Sequence, residues 1–124
     1  MSKALVVDDS RAMRSILSKV LAESGFETVQ ASNGREALVT MDREGSSIAL
    51  VLLDWNMPEI SGIEVLRILR SKIEFNAVRV VMVTTETELD QMACALDAGA
   101  DEYLMKPFTR EAVEDKLRLI GLLI

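Results

Sequence analysis

At 124 residues the chain suits a single domain with a core of its own, and its 49% hydrophobic and 27% charged residues exclude disordered, collagen-like and membrane-embedded classes. A net charge of −6, from 14 Lys and Arg against 20 acids, excludes the basic footprint that direct nucleic-acid binding needs. One cysteine, Cys94, rules out an internal disulfide, and the absence of histidine removes the commonest general base and transition-metal ligand.

The opening "MSKALVVDD" carries an apolar run too short for a signal-peptide core and broken by two acids, so a cytoplasmic chain without membrane insertion is expected. "KALVV" at 3–7 predicts the first strand, ending on Asp8 and Asp9. Met13, Ile16, Leu17, Val20 and Leu21 follow at helical spacing, from a cap at Asp9 or Ser10 to Gly25. "ETVQA" at 27–31 predicts a second strand, and Ala37, Leu38 and Met41 before Gly45 a second helix.

"IALVLL" at 48–53 predicts a third strand that ends on Asp54, and Ile63, Leu66 and Leu69 a third helix opening with Ser61 and Glu64 in capping-box spacing. "VRVVMV" at 78–83 predicts a fourth strand closed by Thr84 and Thr85, followed by a helix with Leu89, Met92, Ala93 and Leu96 before Gly99. "EYLM" at 102–105 is the fifth strand, ending on Lys106 and Pro107, and Val113, Leu117 and Ile120 form a last helix behind a Thr109 cap. "LRLIGLLI" at the end suits helix packing, a dimer contact or the edge of a longer protein. The methionines suit core gaps, and Cys94 an inert place in the fourth helix.

Strands 1, 3 and 4 are nearly continuous in Val, Leu, Ile and Met, as parallel strands buried on both faces require. The order (βα)5 therefore predicts an α/β fold, a doubly wound three-layer sandwich around a parallel five-stranded sheet, with residues 1–124 as one domain. Ligands of such sheets bind outside the carboxyl ends of the strands, where this sequence carries Asp8, Asp9, Asp54, Thr84 and Lys106.

Taken singly, Asp9 or Thr84 is explained as a cap or turn residue. Asp54 is not, since the next helix begins only near Ser61. Three gathered carboxylates repel one another unless a cation joins them. Oxygen donors alone select a hard metal, so Mg²⁺ is expected, with Mn²⁺ as its substitute, held by Asp8, Asp9, Asp54 and the backbone carbonyl of Asn56. A carboxylate beside a metal and a lysine is placed to attack phosphorus, which makes Asp54 the nucleophile, with Thr84 and Lys106 on the phosphoryl oxygens.

The stretches "VVDDSRAMRSIL", "LLDWNMPEISGIEVL", "VVMVTTETE" and "AGADEYLMKPFT" resemble the receiver domains of two-component response regulators, especially single-domain chemotaxis members. The resemblance spans essentially the whole chain and implies the flavodoxin-like strand order 2-1-3-4-5. It implies that Asp8, Asp9 and Asp54 with the Asn56 carbonyl hold Mg²⁺, and that Asp54 accepts phosphate from a sensor histidine kinase or phosphotransfer domain. It also implies Thr84 and Lys106 as phosphoryl ligands, Thr84 and Tyr103 as the switch pair, and Asn56 and Glu86 as positions that tune dephosphorylation. A cis Lys106–Pro107 bond is a further implication.

On this reading the chain is a switch rather than an enzyme, catalysing only its own phosphorylation and dephosphorylation. The helix 4/strand 5/helix 5 surface takes a downstream target protein, a phosphatase is a further partner, and the chain is a monomer or weak dimer. Ser61 and Thr85 depart from commoner family residues; Thr85 bears on access to Asp54. Three rivals are weighed: a receiver cut from a longer regulator, a small-molecule phosphohydrolase and a phosphate-free adaptor. The phosphohydrolase lacks its second acid, because Asn56 stands two residues after Asp54, and the adaptor would not need Asp54, Thr84 and Lys106 intact.

Overall fold

A computed structural model describes residues 2–85 and 89–123. Five strands, β1 (Lys3–Val7), β2 (Glu27–Ala31), β3 (Ile48–Asp54), β4 (Arg79–Thr84) and β5 (Glu102–Met105), form one sheet in the order β2-β1-β3-β4-β5. Every pairing is parallel. Five helices alternate with them: α1 (Arg11–Glu23), α2 (Gly34–Glu44), α3 (Gly62–Arg70), α4 (Leu89–Asp97) and α5 (Arg110–Leu119). The expected fold class and strand order are both present.

Side-chain alternation along the strands divides the core in two. Leu5, Val7, Val51, Leu53, Val80 and Met82 face one way and pack with residues of α2, α3 and α4. Ala4, Val6, Leu50, Leu52, Val81 and Val83 face the other way, against Leu17 and Leu21 of α1 and Val113 and Leu117 of α5. Burial of both faces explains the unbroken apolar composition of the central strands.

Local signals set the helix starts. Ser10, Asn33, Ser61 and Thr109 each accept a backbone N–H from three residues ahead, satisfying donors that the first helical turn leaves open. Gly25, at φ +99°, lets the chain leave α1, and Phe26 then donates its N–H to the Leu21 carbonyl. Gly121, at φ +79°, does the same after α5, bringing Leu122 and Leu123 onto the α1/α5 core. Of the three readings of the terminal apolar residues, packing on the sheet therefore accounts for these two.

Two short 3₁₀ turns, Gly45–Ser47 and Ile73–Phe75, were not foreseen. Both sit at the amino ends of strands, away from the acidic strand ends. Arg70 organises that far side: its guanidinium donates to the Gly99 carbonyl (2.8 Å), the Phe75 carbonyl (3.0 Å) and Asp101 Oδ2 (2.9 Å). The same Asp101 oxygen accepts the Val80 N–H at 2.8 Å, so one arginine ties α3 to the segments that lead into β4 and β5.

Candidate functional site

β1, β3 and β4 reach their carboxyl ends together, because the register pairs Val7 with Leu53 and Asp54 with Val83. Asp8 follows β1 directly, Asp54 is the last residue of β3, and Thr84 the last of β4. All three are buried, while Asp9 is exposed. Carboxylate oxygens of Asp8, Asp9 and Asp54 lie within 4.8 Å of one another.

Lys106 enters from the end of β5. Its Nζ stands 3.0 Å from Asp8 Oδ2 and 3.4 Å from Asp54 Oδ1. The Lys106 N–H donates to the Thr84 carbonyl at 2.8 Å, and the Lys106–Pro107 bond is cis. The lysine was expected only on the phosphoryl side. Here it also bridges two carboxylates, which sequence spacing does not reveal.

The electrostatics follow from that crowding. Burial, first, and the Asp8 charge, second, push the Asp54 carboxyl from its ordinary 3.8 up to about 6, against the pull of Lys106 and the Asn56 N–H. Burial depresses the Lys106 ammonium, but the Asp8 and Asp54 carboxylates together outweigh it and leave the lysine above its ordinary value.

A divalent cation fits this donor set. Its groups are hard oxygens, two of the carboxylates are buried, and burial together with the Asp8 charge disfavours the anionic form of Asp54, which a cation would favour. Asn56 directs its N–H at the Asp54 carboxylate, and its side chain is exposed.

The loop after β3 is tied back against the end of the strand. Gly62 donates its N–H to the Trp55 carbonyl at 2.9 Å, and a Cβ at Gly62 would collide with the Asp54 carbonyl oxygen. Between them, Ile60 donates its N–H to the Pro58 carbonyl at 2.9 Å around Glu59, which adopts φ +67°. That γ-turn, unusual for a residue with a side chain, has no signature in "NMPEISG". Trp55 is half-buried beside Asp54 and packs on the α2/α3/α4 core.

Two supports of Asp8 also escaped sequence reasoning. Ser10 donates its N–H to Asp8 Oδ1 at 2.8 Å, and Arg14 donates to the Asp8 carbonyl at 2.8 Å while its Nε reaches Gln30. The position of Arg14, one turn after the cap and facing β2, is the signal that could have found it. Tyr103 lies half-buried on β5 and packs against the α2/α3/α4 core. Glu86 lies outside the described residues, and Thr85 is exposed.

A model of the response regulator receiver domain family matches residues 4–118. Chemotaxis protein CheY1 of Helicobacter pylori is 38% identical over 119 residues, 95% of each chain. The chemotaxis protein CheY4 structure of Vibrio cholerae superposes with TM-score 0.87 at 32% identity, covering 95% of this chain and 97% of that one. The CheX–CheY–BeF3–Mg²⁺ complex of Borrelia burgdorferi contains a chain with TM-score 0.89 and 26% identity, covering 96% of this chain and 88% of that one.

Proposed function

The chain belongs to the response regulator receiver domain family, and from that premise we propose that it is a phospho-accepting switch in which Asp54 takes a phosphoryl group from a sensor histidine kinase or phosphotransfer domain. The observation that carries this reading is the half-buried Lys106 bridging the buried Asp8 and Asp54 carboxylates at the carboxyl edge of the sheet. The even coverage with a chemotaxis protein supports a chemotaxis-like role, with residues 1–124 acting as one receiver.

In the transfer, an Asp54 oxygen forms the new P–O bond while the donor's P–N bond breaks and its electron pair leaves with the imidazole nitrogen. Asp8, Asp9, Asp54 and the Asn56 carbonyl would hold Mg²⁺, whose chemistry is to neutralise negative charge on the transferring group. Lys106 then releases its hold on the carboxylates and pairs with a phosphoryl oxygen, and the Thr84 hydroxyl donates to another. The B. burgdorferi complex pairs a CheY chain with both BeF3 and Mg²⁺, which supports both halves of this reading.

Phosphorylation adds charge and acceptor oxygens at Asp54. Thr84 moves toward them, Tyr103 turns inward, and the α4/β5/α5 surface changes its affinity for a partner protein. Hydrolysis, tuned by Asn56 and Glu86, resets the state, so the chain catalyses only its own phosphorylation and dephosphorylation.

Incubation with acetyl phosphate and MgCl₂, read by intact mass, tests the assignment. The expected result is one phosphoryl adduct, lost in EDTA and in Asp54→Asn. An adduct that persists in Asp54→Asn, or forms equally without divalent cation, refutes it.

A further inference from the structure

We propose that Lys116 of α5 is a positioning residue for Tyr103, holding the ring at the outer edge of β5 in the phosphate-free protein. The inference rests on the reading of Tyr103 as the aromatic switch and identifies what sets its resting position.

β5 is an edge strand, paired only with β4. The Tyr103 side chain leaves it on the face that carries α4, where it packs beside the α2/α3/α4 core. Lys116 belongs to α5, whose Val113 and Leu117 pack on the opposite face. Even so, Lys116 Nζ stands 4.6 Å from the Tyr103 ring centroid. The lysine therefore reaches the ring around the open edge of the sheet, and the ring lies at that edge to meet it.

The ammonium is itself aimed. Lys116 Nζ donates to Glu102 Oε1 at 3.2 Å, and the same oxygen accepts the Tyr103 N–H at 3.0 Å. One carboxylate oxygen thus fixes the ammonium relative to the backbone that carries the ring. Side-chain exposures of 26% for Lys116 and 20% for Glu102 keep the pair largely out of water, where a cation over an aromatic face is worth more.

Packing alone does not pin the ring. A groove of about 420 Å³ opens beside it, lined by Met92, Phe108 and Ala112 among others. A ring that turns inward toward Thr84 leaves the ammonium and forfeits the contact. A contact of this class weights the outward position by roughly two- to five-fold.

Tyr103 is the one tyrosine in the chain, so 3-fluorotyrosine labelling places a single ¹⁹F reporter at the ring. Spectra of the full chain are recorded free and with beryllofluoride plus Mg²⁺. The wild-type signal is expected to move on beryllofluoride. The free signal of Lys116→Met, which keeps the aliphatic stem, is expected to lie part-way toward that position, reflecting a two- to five-fold rise in the inward-to-outward ratio. Lys116→Arg, whose guanidinium also stacks on aromatic faces, is expected to restore the wild-type position. Glu102→Gln, with a weaker hold on the ammonium, falls between.

If the wild-type signal ignores beryllofluoride, the aromatic-switch reading falls and the proposal with it. If the wild-type signal moves but the free Lys116→Met and Glu102→Gln signals coincide with wild type, the switch stands and the role of Lys116 is overturned. A purely structural lysine would lower the urea midpoint without moving the free ¹⁹F signal.

Discussion

Replacing Asp54 by asparagine is expected to stabilise the metal-free protein at pH 8, although it deletes an ion-pair partner. Burial and the neighbouring Asp8 charge raise the Asp54 carboxyl from 3.8 to about 6, so the folded state binds its proton more tightly than the unfolded chain does. The sign follows directly: between about pH 4 and pH 6 the folded state holds more protons, and stability is lost as pH rises through that window. At ~1.4 kcal/mol per pH unit the interval corresponds to about 3 kcal/mol. Solvent screening beside exposed Asp9 reduces the figure to about 1–2 kcal/mol. Lys106 keeps its shorter contact, 3.0 Å to Asp8, when the 3.4 Å contact to Asp54 is weakened, so little is lost on the other side. Urea unfolding by far-UV circular dichroism in EDTA measures the effect: Asp54→Asn is expected to exceed wild type at pH 8 and to match it within a few tenths of a kcal/mol near pH 4. Saturating Mg²⁺ is expected to shrink the pH 8 difference, because binding stabilises the wild type. Equal or lower stability of Asp54→Asn at pH 8 in EDTA, or a gain that persists undiminished at pH 4, refutes the argument from desolvation and repulsion.

Lys106→Met removes the cation between two buried carboxylates and is expected to lower stability at pH 8 by up to about 3 kcal/mol, with phosphorylation by acetyl phosphate slowed at least ten-fold in the intact-mass assay. Gly62→Ala forces a methyl against the Asp54 carbonyl oxygen; a loss of about 1–3 kcal/mol in urea unfolding is expected, with weaker Mg²⁺ quenching or enhancement of Trp55 fluorescence as the loop shifts. Arg70→Ala leaves Asp101 and two carbonyls without their donor and is expected to cost about 2–3 kcal/mol, while Asp54 phosphorylation keeps its rate, because the cluster lies at the opposite edge of the sheet.

Much of the fold was legible because it is written in local patterns. Apolar runs and helical stripes located the five strands and five α-helices of the described residues, Ser61 and Thr109 marked two helix starts, and of the two cap candidates before α1, Asp9 and Ser10, it is Ser10 that accepts the hydrogen bond. Asp8, Asp9, Asp54, Thr84 and Lys106 were legible as strand ends, since topology alone brings such positions together. What escaped is what depends on tertiary contact. Nothing in the neighbourhood of Arg70 names Gly99, Phe75 and Asp101 as its acceptors, because they come from two other segments, the turn before β4 and the connection into β5. The left-handed turn at Glu59 escaped because that backbone conformation usually announces itself by glycine or asparagine. Gly62, visible only as the residue after a cap, owes its identity to an oxygen eight residues earlier in the chain.

Lys106 has one more consequence, in the order in which the chain becomes competent. Its partners lie 98 residues upstream, at Asp8, and 52 residues upstream, at Asp54. Contacts so remote in sequence close large loops, and such closures come late in folding. A chain with β1, β3 and β4 already paired holds two acids side by side with no ammonium between them, until the segment carrying β5 docks. The contact of Lys106 with both acids is therefore a property of the finished sheet.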